Sequence, residues 1–291
     1  MADKQIKLIV TDLDGTLLDQ NKKVCQENYE ALKAAYDRGV KIALCSGRPP
    51  HDASIIALDA GLDMYILGLN GCCCLEHPLG EIWRHHTIPN ALVEKLLAIA
   101  EPTGLVTGVF SKNRLILNCP HSVYPDPRPV WGSNLLDPRA GFLLTFNNEG
   151  LDAAFEHGVN KMMIHDPWFT DDRLARLMET YKREIPELEF ISSWPQNIEI
   201  NPGDMNKGES VRRTAQALGL TMDEVMVLGD YDNDISMLEA AGTAVAMGNS
   251  TPAVLAAATH VTVDYRQAGL AKAVRKLVLH EDVPCVRSLG K

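Results

Sequence analysis

Residues 8–16 read Leu-Ile-Val-Thr-Asp-Leu-Asp-Gly-Thr, a short apolar run that passes directly into two carboxylates and a glycine. The apolar run predicts a buried strand, and Gly15 would allow a sharp turn after it, with N–H groups facing an anion. Parallel α/β proteins bind their ligands outside the carboxyl ends of the strands. Asp12 and Asp14 would repel each other there unless a cation joined them, and magnesium prefers such oxygen ligands. This stretch therefore predicts a strand end that binds a metal and an anion.

Strands and amphipathic helices alternate in the same way at both ends of the chain. Near the N-terminus, a helix is predicted at 27–38 and a strand at 40–44. Near the C-terminus, a strand at 224–228 lies between predicted helices at 210–218 and 234–241. This alternation predicts an α/β fold with a mostly parallel sheet covered by helices on both faces.

Residues 84–194 interrupt this alternation. Their predicted helices are longer, and a stretch between residues 120 and 141 is rich in proline and glycine. We interpret them as a second domain inserted into the first, which would then consist of residues 1–83 and 195–291.

Composition limits the classes of partner. The 291 residues carry 28 basic and 38 acidic side chains, a net charge of −10, which gives no general attraction for nucleic acid or for anionic membranes. The sequence has no apolar run of signal-peptide or membrane-spanning length. Seven cysteines, three of them adjacent at 72–74, suit no disulfide framework. We expect a cytoplasmic protein with a buried core, and the sequence leaves its oligomeric state open.

Three further segments carry polar groups at predicted strand ends or helix starts. Residues 44–48, Leu-Cys-Ser-Gly-Arg, offer a hydroxyl, an N–H group and a cation to a phosphate. Lys207 opens a predicted helix and, if it points inward, suits a phosphoryl oxygen. Each of these two segments alone is also typical of a capped turn or a solvated surface. Residues 229–234, Gly-Asp-Tyr-Asp-Asn-Asp, contain three acids, more than a helix cap needs, and favour a hard-cation site.

In their order and placement, the four segments resemble motifs I to IV of the haloacid dehalogenase superfamily. The insert after the second motif, the turn at 69–71 and the Gly-Asp-x-x-Asn-Asp form of the fourth resemble its Cof-like, type IIB hydrolases. The resemblance implies a Rossmann-like core with an inserted α/β cap domain. It also implies a magnesium-dependent phosphatase that hydrolyses a small phosphorylated metabolite, such as a sugar phosphate.

The resemblance also implies roles for individual residues. Asp12 would be the nucleophile that forms an aspartyl-phosphate, and Asp14 the general acid and base. Magnesium would be held by the Asp12 carboxylate, the Asp14 backbone carbonyl and Asp230, with Asp234 in or near that shell. The residues expected to bind phosphate are Gly15, Ser46, Gly47, Lys207 and Asn233, and further candidates for substrate contact are Arg48 and Asn70.

Two alternatives on the same scaffold stay open: a phosphomutase and a non-catalytic phosphate-binding or regulatory protein. The substrate is also open, because in this architecture the cap supplies specificity; flavin, sugar, pyridoxal and polyol phosphates all remain candidates. Large aromatic side chains in the insert would more often be core than substrate contacts; they are Tyr124, Trp131, Trp168 and Trp194.

Overall fold

The computed structural model describes residues 5–168, 172–192 and 196–290, and their strands form two sheets. In chain order the strands are β1 (Leu8–Thr11), β2 (Lys41–Cys45), β3 (Tyr65–Gly68), β4 (Cys73–Leu75), β5 (Ile82–His85), β6 (Val106–Ser111), β7 (Arg114–Leu117), β8 (Leu143–Thr145), β9 (Lys161–His165), β10 (Leu188–Ile191), β11 (Asn197–Pro202), β12 (Val225–Gly229), β13 (Thr243–Ala246), β14 (His260–Val261) and β15 (Arg287–Ser288).

The α-helices lie between these strands. They are α1 (Gln26–Asp37), α2 (Pro50–Ala60), α3 (Asn90–Ala100), α4 (Arg128–Trp131), α5 (Leu151–His157), α6 (Arg173–Glu184), α7 (Lys207–Ala217), α8 (Ile235–Ala240), α9 (Pro252–Ala257) and α10 (Gly269–Leu277). Among the described helices, none is long and apolar enough to cross a membrane.

The first sheet joins both ends of the chain in the order β15-β14-β13-β12-β1-β2-β3-β4-β5. Pairing is parallel from β14 through β3, and antiparallel only at the two outer ends. Strand β1 lies between β2 and β12, so the carboxyl ends of these three strands meet at one edge. The predicted α/β fold with a mostly parallel sheet is confirmed.

The second sheet comes from the middle of the chain, in the order β10-β11-β9-β6-β7-β8, and only β7 and β8 pair in parallel. The predicted boundary of the insert, between residues 194 and 195, lies outside the described residues. Strand β11 follows that boundary yet pairs with β9 and β10. The second sheet therefore extends to Pro202, further along the chain than the predicted insert.

Alternation of side chains along β1 builds two hydrophobic cores in the first sheet. Ile9 packs in a cluster with residues of α1 and α10, whereas Leu8 and Val10 pack on the opposite face with residues of α7 and α8. One face of the second sheet is covered by α3 and α6. Its other face packs on Trp131 and on Cys72 and Cys73, which lie at the beginning of β4 in the first sheet. This face is therefore directed toward the edge where β1, β2 and β12 end.

Helix α7 begins at Lys207, because the Asn206 side chain accepts a hydrogen bond from the Glu209 amide at 3.0 Å. The next residue, Gly208, brings α7 close to α8. A β-carbon on Gly208 would lie 2.2 Å from the backbone oxygen of Ser236, a distance that no side-chain rotation can relieve.

We expect Gly208→Ala to destabilise the protein by about 1–3 kcal/mol, the usual cost of overpacking, although alanine is the better helix former. Urea unfolding monitored by circular dichroism would measure this. Gln216→Ala, at an exposed position on the same helix, is the matched control and should change the free energy of unfolding by less than about 0.5 kcal/mol. An equal or greater stability of Gly208→Ala would show that the two helices do not pack as described.

Candidate active site

Asp12 lies at the end of β1 and is almost fully buried, with 8% of its surface exposed. Its amide donates a hydrogen bond to the Leu228 carbonyl at 3.0 Å, which ties the end of β1 to the end of β12. The turn after β1 continues in the left-handed region at Gly15, with φ of +83°, where a β-carbon would lie 2.3 Å from Asp230 Oδ2. Glycine is therefore required for the two turns to approach each other.

The Lys207 side chain is completely buried between two carboxylates. Its Nζ donates to Asp12 Oδ1 at 2.7 Å and to Asp234 Oδ1 at 2.6 Å. Burial alone would lower the pKa of Lys207, but the two carboxylates outweigh it and raise the pKa well above its ordinary value. The ammonium therefore stays charged and fixes the orientation of Asp12.

Asp12, Asp230 and Asp234 bring carboxylate oxygens within 4.8 Å of one another. Asp230 accepts hydrogen bonds from Thr16 at 2.9 Å and Asn249 at 3.0 Å. Burial, and then the charge of Asp234, raise the pKa of Asp230 to about 7. Burial is also the main cause of a pKa of Asp12 well above its ordinary range, although Lys207 opposes it.

These three carboxylates share one ammonium group, so the cluster carries an excess of negative charge when it is ionised. All the side-chain donors are hard oxygen atoms, the set that suits a small divalent cation. A divalent cation would offset the repulsion that raises the two pKa values. The described residues therefore fit a metal site at this point.

The Asp14 carboxylate points away from this cluster. Arg48 clamps it with two hydrogen bonds, from Nε at 2.8 Å and from Nη2 at 2.7 Å, and Lys22 donates a third at 2.6 Å. Burial would raise the pKa of Asp14, but the two cations outweigh it and lower the pKa to about 2. The Asp14 carboxylate is therefore not part of the cluster formed by Asp12, Asp230 and Asp234.

The loop after β2 lies beside Asp12 and is fixed by contacts from both sheets. The Ser46 carbonyl accepts from the Asn70 amide at 2.8 Å, and the Gly47 carbonyl accepts from Lys161 Nζ at 3.0 Å. The Ser46 hydroxyl lies 3.3 Å from the Arg48 amide, which donates to it.

A buried ion pair missed by the sequence analysis supports this loop. Lys161 and Glu199, of β9 and β11, lie 2.9 Å apart with side chains only 1% and 4% exposed. Asn70 also donates to Glu199, at 2.6 Å, and its φ of 57° is left-handed. Residue 199 faces residue 163 across the ladder, so Glu199 and Lys161 are diagonal neighbours. Neither strand carries a motif that could have revealed them.

A cavity of about 480 Å³ opens between the two sheets. Of the predicted site residues, its lining includes Asp12, Asp14, Ser46, Gly47, Arg48 and Asn233, whereas Gly15, Asn70, Lys207, Asp230 and Asp234 are not among the lining residues.

The second sheet and α4 form the opposite wall of the cavity. Phe110, Trp131 and Met163 give this wall an apolar surface, and Asp126 and Arg128 add charge at its edge. Trp131 was expected to be core: it is 3% exposed and packs edge-on against Tyr124, but it also lines the cavity. Trp168 is half exposed and lines a different cleft, and Trp194 lies outside the described residues.

Comparison with known proteins identifies relatives along nearly the whole chain. The sequence matches the family of haloacid dehalogenase-like hydrolases over residues 9–274. A 5-amino-6-(5-phospho-D-ribitylamino)uracil phosphatase of Bacillus subtilis is 30% identical over 277 residues, covering 95% of this chain and 98% of that protein. A pyridoxal phosphate phosphatase of Escherichia coli is 30% identical over 280 residues, covering 89% and 93% of the two chains. The solved structure of a haloacid dehalogenase-like hydrolase from B. subtilis has a TM-score of 0.78 at 26% identity, covering 93% of this chain and 99% of that one.

We expect Lys161→Met to destabilise the protein by about 3–5 kcal/mol, because it leaves Glu199 as a buried charge without its ammonium partner. Urea unfolding would measure the change. The control is Lys95→Met, which removes an exposed ammonium that lies 4.0 Å from the Glu184 carboxylate and donates to the Glu184 carbonyl at 2.7 Å, and which should cost less than about 1 kcal/mol. Equal losses in the two variants would contradict a buried pair between Lys161 and Glu199.

Proposed function

This chain belongs to the haloacid dehalogenase-like hydrolases and is a phosphoric monoester hydrolase, and we propose that it acts on a small phosphorylated metabolite with Mg²⁺ and an aspartyl-phosphate intermediate. The observation that carries the proposal is the position of Asp12. Its carboxylate is held by a buried ammonium at the floor of a cavity, beside two further carboxylates.

In the first step, the Asp12 carboxylate attacks phosphorus, the new O–P bond forms, and the bond from phosphorus to the ester oxygen breaks. Asp14 gives its proton to the departing oxygen. In the second step, Asp14 takes a proton from water as that water attacks phosphorus, which releases inorganic phosphate and restores Asp12. One residue thus acts first as the acid and then as the base.

Asp14 must change partners to do this, because Arg48 and Lys22 hold it as a carboxylate. Both cations line the cavity, and a bound phosphate would compete for Lys22, the more exposed of the two. Once Lys22 turns to the phosphate, Asp14 loses one of its two charge partners and can carry a proton near the ester oxygen, while Arg48 keeps it aligned. Substrate binding and activation of the acid are therefore linked through Lys22.

The transferring phosphoryl group would lie among Ser46, the Gly47 amide, Lys207 and Asn233. These groups would stabilise the negative charge that spreads over its equatorial oxygens. Asp12, Asp230, Asp234 and the Asp14 backbone oxygen would hold Mg²⁺, which would neutralise phosphoryl charge when bound. This local positive region offsets the net charge of −10 for an anionic substrate.

The cavity favours a small substrate with both apolar and polar parts. An apolar wall built on Trp131 suits a ring or carbon chain, and Arg128 and Asp126 at its edge suit polar substituents. The two relatives described above are named for different phosphate esters, so we extend only their shared chemistry to this chain.

We expect Asp12→Asn to lower phosphate release by roughly 10⁴-fold or more, because the amide cannot form the covalent intermediate. The assay is phosphate release from a panel of phosphorylated metabolites with Mg²⁺, together with acid-quench trapping of a phosphorylated protein. Asp37→Asn, at an exposed position on α1, is the control and should retain full activity. An isomerised product without phosphate release would indicate a mutase, and binding without turnover would indicate a regulatory protein.

We expect Mg²⁺ to raise the melting temperature more at about pH 8 than at about pH 5.5, because cation binding requires ionised ligands. The pKa of Asp230 is raised to about 7, so its ionisation destabilises the folded state progressively from the ordinary aspartate pKa up to about 7. Bound cation should remove that penalty where it is largest, above pH 7.

Thermal unfolding with and without Mg²⁺ would measure this difference. Asp230→Asn should lose most of the shift, whereas Asp232→Asn, an exposed residue of the same turn, should keep it. A Mg²⁺ shift that is independent of pH and of Asp230 would place the cation elsewhere.

A further inference from the structure

Asp52 is a completely buried carboxylate in the first turn of α2, with no assigned role. Its Oδ1 accepts from Arg48 Nη1 at 3.1 Å, and its Oδ2 accepts from the Asn134 amide at 2.5 Å. The Asn134 side chain also donates to the Asp52 carbonyl, at 3.2 Å. One carboxylate therefore links α2 to the segment that follows α4 on the cavity wall.

Arg48 is oriented from two sides by these contacts. Its Nε and Nη2 face Asp14, while its Nη1 faces Asp52 and also donates to the Ser133 hydroxyl. A guanidinium is a rigid planar fork. Fixing Nη1 on one edge therefore fixes the other edge, the one that clamps both oxygens of Asp14.

Gly132 is required for this arrangement. Its φ is +145°, and a β-carbon there would lie 3.0 Å from Asp52 Oδ2 and 3.0 Å from Leu135. The backbone thus passes against the Asp52 carboxylate where any other residue would be both strained and crowded. The close approach lets the Asn134 amide reach Asp52.

A carboxylate in the first turn of a helix commonly serves only the helix dipole. Asp52 differs because its described side-chain contacts run to Arg48 and Asn134, outside its own helix. Burying a carboxylate is costly unless it is paired and hydrogen-bonded, and here its partners are a cavity-lining arginine and the opposite wall. A purely local role leaves both partners unexplained.

We propose that Asp52 is a positioning residue that holds Arg48 against Asp14 when residues 132–134 are docked on α2. The inference rests on the proposed function, since it gives Asp14 the part of the acid that protonates the leaving oxygen. Docking of the cavity wall thereby aligns the fork of Arg48, and Arg48 aligns the acid.

The consequence is a loss that depends on the leaving group. Without the charge of Asp52, the guanidinium is free to rotate, and Asp14 is no longer aimed at the ester oxygen. Alkyl esters need that proton, whereas p-nitrophenyl phosphate has a leaving group that departs without one. A purely structural defect would lower turnover of both esters alike.

The experiment compares Asp52→Asn with wild type on p-nitrophenyl phosphate and on the best alkyl phosphate of the metabolite panel, measuring kcat and KM separately. We expect kcat for the alkyl ester to fall by about 10- to 100-fold, a part of what general acid catalysis supplies, and kcat for the aryl ester by less than about threefold. KM for both esters should change little.

Asp59→Asn is the matched control, since Asp59 also lies on α2 and pairs with Arg139 of the same segment of chain at 2.8 Å, but at the exposed surface. It should leave both esters unaffected. Ser133→Ala, a half-exposed position, should show the same selectivity in milder form and serves if Asp52→Asn fails to fold.

Equal loss on both esters, or no loss on either, would overturn the positioning role while wild-type activity still supports the phosphatase. If wild type hydrolyses neither ester, or if Asp12→Asn stays active, the proposed function itself fails.

Discussion

The buried ammonium of Lys207 is the contact on which the rest of the site depends. It is bonded to Asp12 and Asp234, which come from turns after two adjacent strands, β1 and β12. Without that charge, three buried carboxylates would lie within a few ångströms of one another, and ionisation of any of them would oppose folding. Because α7 delivers the lysine from outside both turns, the close packing of α7 on α8 and the close passage at Gly15 serve one purpose. They let unlike charges meet where the sheet ends.

One lysine does not neutralise the cluster, and this remaining imbalance connects stability with function. The pKa values of Asp12 and Asp230 are raised, so the folded protein favours binding of either protons or a cation at this point. Because the ionised carboxylates repel one another in the folded protein, the site binds a divalent ion more strongly as they ionise. Asp14 shows the opposite balance, since two cations hold its pKa at about 2. The two aspartates of one turn are thus separated in protonation behaviour by which neighbours the fold provides, although they are two residues apart.

Much of this could be predicted from local sequence because the chemistry sits where strands end. Asp12, Ser46 and Asp230 each follow an apolar run directly, and parallel pairing of β1 with its neighbours necessarily brings such positions together.

Lys161 and Glu199 could not be found in this way. Each lies within a strand of the second sheet, and only the register of β9 and β11 makes them neighbours. Asp52 could be predicted only in part. Its spacing of four residues from Arg48 is visible in the sequence, but its contact with Asn134, which comes from a different part of the fold, is not. Trp131 shows a further limit of prediction from sequence, since one large aromatic side chain can be buried in the core and still line the cavity.

The contacts between the two sheets explain how one scaffold can keep its chemistry and change its substrate. Several polar contacts join the two walls of the cavity, and two of them are Lys161 to the Gly47 carbonyl and the Asn134 amide to Asp52. These two links end on Gly47, in the loop after β2, and on Asp52, which contacts Arg48, so each fixes residues beside Asp12 and Asp14. The wall built from Trp131, Met163 and Arg128 faces the cavity. These three residues are not the ones that form the two links. Changes in that wall should leave the charges around Asp12 undisturbed, because the described partners of the ammonium and carboxylates there belong to the first sheet and its helices.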